Sequence, residues 1–328
     1  MSKTAIKFKL AILKNTPFIL FVCIFIIFGI LSPKFFQYEN FENIATSASY
    51  IGIVTVGMTF VLLTAGIDLS VGSNMFLSAS IAGLLIRDLN APIWLALLCA
   101  VLVGTLYGGI NAFFIVKLRI LPFLVTLSTL VAGRGLGLLI TKSQGVTLPE
   151  SISNWGAVRV VGLPVPIIIY AVIALIAHLF LKFFPMGRQI YAIGNDPEAA
   201  KKAGLNTDRS IAFVYIISGL LAAIAGIVSV SQMGIVNAGF GDGDEFDAIA
   251  AAVLGGTSLF GGIGTIFPGA VIGTILIQMV QAGLVYTQVD MYIQPLIQAA
   301  VIFVAVFLDS IRSREISKIE KRHIRVEN

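Results

Sequence analysis

Pro92-Ile-Trp-Leu-Ala-Leu-Leu-Cys-Ala-Val-Leu-Val-Gly-Thr-Leu-Tyr-Gly-Gly-Ile-Asn-Ala-Phe-Phe-Ile-Val116 contains no charged side chain, and Lys117 and Arg119 close it. A helix needs roughly 20 apolar residues to cross the hydrocarbon core of a bilayer, so this run reads as a membrane crossing. Similar runs lie on both sides of it, at 17–31, about 44–65, 69–86, 120–140, 164–184, 210–232, 263–285 and 292–309. A shorter one, 248–256, brings the count to about ten. The expected fold is an all-α membrane protein: a polytopic bundle of about ten transmembrane helices, with a Gly-rich internal repeat and broken or re-entrant helices. The 248–256 run is too short to span upright. It reads as a half-helix or one arm of a broken helix, which is tolerated at that depth only where backbone is buried in protein or lines a cavity.

Composition supports the bilayer as solvent. Of 328 residues, 57% are hydrophobic and only 12% charged, against about 25% charged in soluble domains. The net charge of +5 does not point to nucleic acid, because the basic residues sit in short segments between apolar runs, as topology determinants do. Lys3, Lys7, Lys9 and Lys14 precede the run from Phe18 to Leu31. No small-residue cleavage site follows at Ser32-Pro33-Lys34, so this reads as an uncleaved first helix with its N-terminus in the cytoplasm. Lys117, Arg119, Lys182, Arg188, Lys201, Lys202 and Arg209 then fall on the cytoplasmic side, as do Arg312, Arg314, Lys318, Lys321 and Arg322. The acidic stretch 242–247 falls outside. The domain reading is a cytoplasmic N-terminus over 1–16, one permease domain over 17–309 with a cytoplasmic loop at 185–210, and a basic cytoplasmic tail over 310–328. The expected location is the bacterial inner (plasma) membrane.

Catalytic and metal chemistry find no support. Cys23 and Cys99 lie singly in apolar runs, and His178 and His323 are far apart in different contexts. No Gly-Lys pair occurs, so a phosphate-cradling ATPase loop is absent. No cofactor is expected, and any ATP that drives this protein is bound by another subunit.

Two glycine-marked segments align as an internal repeat: Gly66-Ile67-Asp68-Leu69-Ser70-Val71-Gly72 with Gly256-Thr257-Ser258-Leu259-Phe260-Gly261-Gly262. Small-residue membrane helices also look alike by chance; against that, transporters often place Gly-interrupted repeats around the substrate path. Gly255, Gly264, Gly269 and Gly273 continue the second segment, and Gly269-x-x-x-Gly273 permits close helix approach. Asp68 and Arg134 are ionisable residues in apolar context, which marks a site by default. Asp68 also suits the cap of the helix that follows, and Arg134 could snorkel from the outer end of its helix. Ser70, Asn74, Asn111 and Thr126 are the polar residues expected to face an interior path with Asp68. Phe76 could stack on a sugar ring or simply pack.

The cytoplasmic segment encodes a short helix. Asp196 suits the N-cap, Pro197 the first helical position, Glu198 the positive end of the dipole, Lys201 and Lys202 the negative end, and Gly204 the stop. Asn195 precedes it, and Ala199, Ala200 and Ala203 give it a small face. A rigid helix so specified suits docking in a partner's groove; a capped loop helix without a partner is the bland alternative.

Ala65 to Ser73, Tyr191 to Leu205 and Val253 to Gly264, in that order, resemble the signatures of the ribose-type permeases of bacterial ABC importers. The resemblance covers nearly the whole chain. It implies a permease subunit that moves a monosaccharide by alternating access. It also implies a second permease copy in a homodimer or pseudo-dimer, cytoplasmic ABC ATPase subunits docked on the 196–204 helix, and a periplasmic or surface-anchored solute-binding protein. The competing readings are an ion-coupled secondary transporter, which needs buried coupling carboxylates and finds only Asp68, and a membrane enzyme, which needs a catalytic cluster.

Overall fold

The computed structural model describes residues 16–301 together with 303, 304 and 307. The N-terminal lysines, most of the 1–16 segment, the end of the 292–309 run and the 310–328 tail lie outside the described residues. The main helices are α1 (Thr16–Leu31), α2 (Tyr38–Leu63), α3 (Val71–Leu89), α4 (Ile93–Val116), α5 (Pro122–Thr141), α6 (Val165–Phe183), α7 (Pro185–Asn195), α8 (Pro197–Lys202), α9 (Thr207–Met233), α10 (Asp244–Leu254) and α11 (Val271–Tyr286). A further helix, α12, is described over 294–301.

The boundaries follow local chemistry. Pro122, Pro185 and Pro197 open α5, α7 and α8, where a missing N–H costs nothing. Asn90, Lys142 and Gly234 take left-handed conformations that stop α3, α5 and α9.

Among the described residues, six helices are long and apolar enough to cross a membrane: α2, α4, α5, α6, α9 and the stretch Ile266–Tyr286 that contains α11. The chain is an integral, all-α membrane protein. α2 is buried over most of its length, whereas α4, α5 and α6 bury less than a third of theirs. The exposed side chains on α4 to α6 are large and apolar, among them Leu102, Leu106, Leu139 and Ile176. Such a surface suits lipid and would be untenable in water. α2 and α9 form the centre. A methyl group on Gly219 of α9 would collide with the Gly104 carbonyl and lie 2.7 Å from the Gly108 nitrogen of α4. The absence of side chains lets these two backbones touch, the packing mode available where lipid competes for apolar surface.

Other expected crossings take different forms. α1 is apolar but has 16 residues. α10 begins at Asp244, four residues before the expected 248–256 segment, and takes three acidic residues into its first turn. The 185–210 segment is not simply a polar loop. It contains α7, whose Ile190 and Ile193 are fully buried, and α8 ends at Lys202 rather than at 204. The polar stretches 141–163 and 233–247 are joined by a two-residue antiparallel ribbon, with Val146 opposite Val236.

Candidate translocation site

The turn from α2 to α3 carries the first candidate group into the centre of the bundle. Ala65 is left-handed at φ 58°, and the chain enters α3 through Asp68 and Ser70, each only 1% exposed. One Asp68 oxygen accepts from the Ser70 backbone N–H at 3.0 Å and from the Ser70 hydroxyl at 2.6 Å. The other accepts from the Ser218 hydroxyl of α9 at 2.7 Å. Asn111 of α4 donates to the Ser70 hydroxyl at 2.8 Å, and Thr129 of α5 donates to the Asn111 carbonyl oxygen at 2.8 Å. Thr126 contacts the Ile67 carbonyl at 3.2 Å. Asn74 donates to the carbonyls of Gly104 and Gly219, at 3.2 and 3.0 Å, and accepts from Ser78 at 3.0 Å. Asp68, Ser70, Asn111 and Thr126 thus share one network, with Asn74 one turn further along α3. A buried carboxylate is tolerable when its oxygens are hydrogen-bonded in this way.

Sequence reasoning missed four members of this network, Ser73, Tyr107, Thr129 and Ser218. Ser73 lies 2.9 Å from the Tyr107 hydroxyl, Tyr107 donates to the Thr129 carbonyl, and Ser218 completes Asp68. Ser73 was legible in principle, since a hydroxyl three residues from Ser70 shares its helix face. Ser218 was not, because nothing in sequence links positions 150 apart.

The second group surrounds Phe76, whose ring is buried against Gly137 of α5. The Arg134 guanidinium stands 5.0 Å from the ring centroid and donates to the Phe240 carbonyl at 2.6 Å. Its distance to Asp242 is 3.8 Å. Arg134 is therefore turned inward onto the 237–243 loop rather than snorkelling outward, and Phe76 already carries a cation on its face. The same loop crosses the start of α3: a methyl on Gly72 would strike the Gly241 carbonyl and lie 2.5 Å from a Glu245 carboxylate oxygen. Of the four acids between 242 and 247, Glu245 and Asp247 are buried and only Asp242 is exposed.

The third group lies at the same C-terminal end of α2. The Gly262 N–H donates to the Leu63 carbonyl at 3.0 Å, and Tyr191 of α7 donates to the Gly264 carbonyl at 2.9 Å. The two aligned glycine segments meet here, since a methyl on Gly261 would lie 3.0 Å from the Ala65 side chain. Gly256, Gly261 and Gly262 all have positive φ, at 93°, 86° and 71°, a conformation that a side chain resists. Beside them, Gly273 of α11 meets the Ala251 carbonyl of α10, and Gly255 meets Gly269.

α8 hangs from this end through α7. Asp196 caps it, accepting from the Glu198 and Ala199 N–H groups at 3.0 Å each. Gly204 follows in the left-handed region at φ 83° with open space around it. Asn195, Pro197, Glu198 and Ala199 are exposed, whereas Ala200 is buried against the chain itself. The small face is therefore split: Ala199 and Ala203 are outward, and Ala200 is not. Among the described residues no group of His, Cys, Asp and Glu could hold a metal ion.

Known proteins place this architecture. Residues 40–306 match the family described as branched-chain amino acid transport system / permease component. The ribose import permease RbsC of Haemophilus influenzae is 36% identical over 304 residues, covering 91% of this chain and 94% of that one. The D-allose transport system permease AlsC of Escherichia coli K12 is 36% identical over 303 residues, covering 92% and 93%. The galactose/methyl galactoside import permease MglC of Haemophilus influenzae is 31% identical over 315 residues, covering 89% and 94%. No solved structure matches the chain. The family is one of transport permeases rather than of enzymes, and the resemblance to the ribose-type group holds over about nine-tenths of the sequence. The chain belongs to the transport-system permease component family, alongside the sugar permeases of ABC importers.

Proposed function

We propose that this protein is the membrane-spanning subunit of an ABC importer for a monosaccharide of the ribose, allose or galactose kind. The observation that carries this reading is the near-full-length similarity to permeases of three such sugars. A cytoplasmic ABC ATPase binds the nucleotide, a solute-binding protein delivers the sugar from outside, and a second permease copy completes the pathway. The chain crosses the inner membrane about ten times, with both termini in the cytoplasm. The capped α8 helix, exposed at Asn195 to Ala199, docks on the ATPase. Closure of the ATPase pair then moves α7 and the glycine junction at 255–264, to which Tyr191 ties it, and the bundle alternates between outward and inward access.

Asp68, Ser70, Asn74, Asn111 and Thr126 brace the wall of that path, with Phe76 beneath Arg134 beside them. An ion-coupled secondary transporter would need a carboxylate with a free oxygen for its ion. Both Asp68 oxygens are already engaged, whereas Glu245 keeps one buried carboxylate oxygen without a partner, so the ATP-driven reading rests on the similarity to sugar permeases. The test is complementation of a bacterial strain that lacks its own pentose and hexose ABC permeases. Co-expression of this chain with its genomic neighbours should restore binding-protein-dependent uptake of at least one labelled monosaccharide. Restored uptake without any ATPase subunit would overturn the proposal.

A further inference from the structure

A groove of about 450 Å³ lies between α2, α6 and the start of α11. Ile167, Ala171, Ala174 and His178 line it from one face of α6, at the spacing that sets side chains in a row. Ala45 and Ala48 face them from α2, and Phe267, Val271 and Ile275 form the third wall. The four alanines make the depression, since each stops short where a leucine would fill it. Tyr170 also borders the groove, with its hydroxyl enclosed by the protein. His178 meets the Phe267 ring edge to face, with centroids 6.3 Å apart. Apart from the imidazole, this lining offers a polar solute nothing to bond.

Shape and surroundings select the occupant. From Ile167 to His178 the axis of α6 rises about 16 Å. One lipid tail covers half of the roughly 30 Å hydrocarbon core, a similar length. Spread over that rise, the volume leaves a passage about 6 Å wide, too narrow for a helix, whose diameter is about 10–12 Å. One unbranched hydrocarbon chain fits there, in van der Waals contact with the walls. The rim continues the lipid-facing surface: Leu175 and Phe267 on the border are exposed, as are Val172, Ile176 and Leu179 beside them on α6. An apolar groove stays dry, and in a bilayer the apolar molecules at hand are lipid tails.

Charge selects the headgroup. Lys182 is exposed and lies one turn beyond His178. Its ammonium stands 5.3 Å from the Phe183 ring centroid and forms no ion pair among the described residues. Ahead of the other end of α6, Arg159 is already held by Glu42 at 2.5 Å. Basic residues beside such intramembrane grooves attract anionic headgroups. We propose that the groove holds one acyl chain of an anionic phospholipid whose phosphate pairs with Lys182. On the orientation proposed above, this lipid belongs to the cytoplasmic leaflet. Phe267 and Val271 follow closely on the glycine segment 255–264, so the tail braces α6 against the junction through which the ATPase is proposed to act.

Native mass spectrometry of the full chain in detergent tests the site, with dioleoyl-phosphatidylglycerol and dioleoyl-phosphatidylcholine supplied in equal amounts. The wild type should retain one phosphatidylglycerol through detergent exchange. Ala171→Phe fills the groove from an exposed position, so the fold should hold while that adduct falls at least about fivefold. Val131→Phe adds bulk to the exposed surface of α5, outside the groove, and should leave the adduct unchanged. Lys182→Gln, also exposed, should still hold a lipid but lower the preference for phosphatidylglycerol about fivefold. No adduct on the wild type, or the same adduct on Ala171→Phe, would overturn the site. Equal retention of the two lipids by the wild type would overturn the anionic headgroup and its pairing with Lys182. A lipid-free wild-type dimer that Ala171→Phe splits would make the groove a contact between two copies and overturn the proposal. None of these readouts involves uptake, so the importer reading stands or falls separately.

Discussion

Asp68 places a carboxyl group in the interior of the bundle, and three donors hold it there. Replacing it with Leu would orphan the buried Ser70 and Ser218 hydroxyls. Each orphaned donor should cost about 1–3 kcal/mol. Asp68→Leu should therefore lower the unfolding midpoint of the purified protein, and Ser218→Ala should lower it less. A variant of normal stability that has lost transport would instead mean that Asp68 acts on the solute. Sequence alone found Asp68, Ser70, Asn111 and Thr126 because polar residues are rare in such runs. It could not show that they form one network, because their partners come from four helices. Arg134 is the converse case. Its position near a helix end left snorkelling open, and only the approach of the 237–243 loop reveals the inward contact with Phe240.

Single helices were legible to the extent that their signals are local. The caps of α8 were readable from Asp196, Pro197 and Gly204, because capping is a property of neighbours in sequence. α7 was missed as a separate helix because Arg188, Gln189 and Asn195 make the segment look polar, while Ile190 and Ile193 turn inward. The start of α10 was missed because three acids in a first turn resemble a solvated loop, yet they suit the positive end of a helix. Burial on α8 makes the coupling proposal sharper. Ala199 is exposed and Ala200 is buried, so Trp at these two positions should act differently. Ala199→Trp should leave the permease stable but weaken co-purification with the ATPase, since overpacking a tight contact costs about 1–3 kcal/mol. Ala200→Trp should destabilise the permease itself. Full assembly and uptake in Ala199→Trp would return α8 to the role of an ordinary loop helix.

For the whole molecule, composition and run length established a membrane bundle, and among the described residues six helices meet the length and hydropathy for a crossing. The expected count of about ten crossings is not met among the described helices: α1 is short, α3 starts inside the bundle and α10 is a half-length helix packed on α11. The proposed ten crossings would place the C-terminus in the cytoplasm. A reporter enzyme active only in the periplasm should be silent when fused there, and an active fusion would exclude an even count. On the proposed coupling, the glycine junction between α7 and the bundle is where closure of a partner ATPase would reach the helices. Proteoliposomes test that central claim most directly. They should contain the purified permease and its ATPase, with the binding protein outside and ATP enclosed. The account predicts that labelled monosaccharide accumulates only when ATP and both partners are present, and that neither a proton nor a sodium gradient replaces ATP. Accumulation driven by an ion gradient in vesicles that contain the permease alone would contradict it.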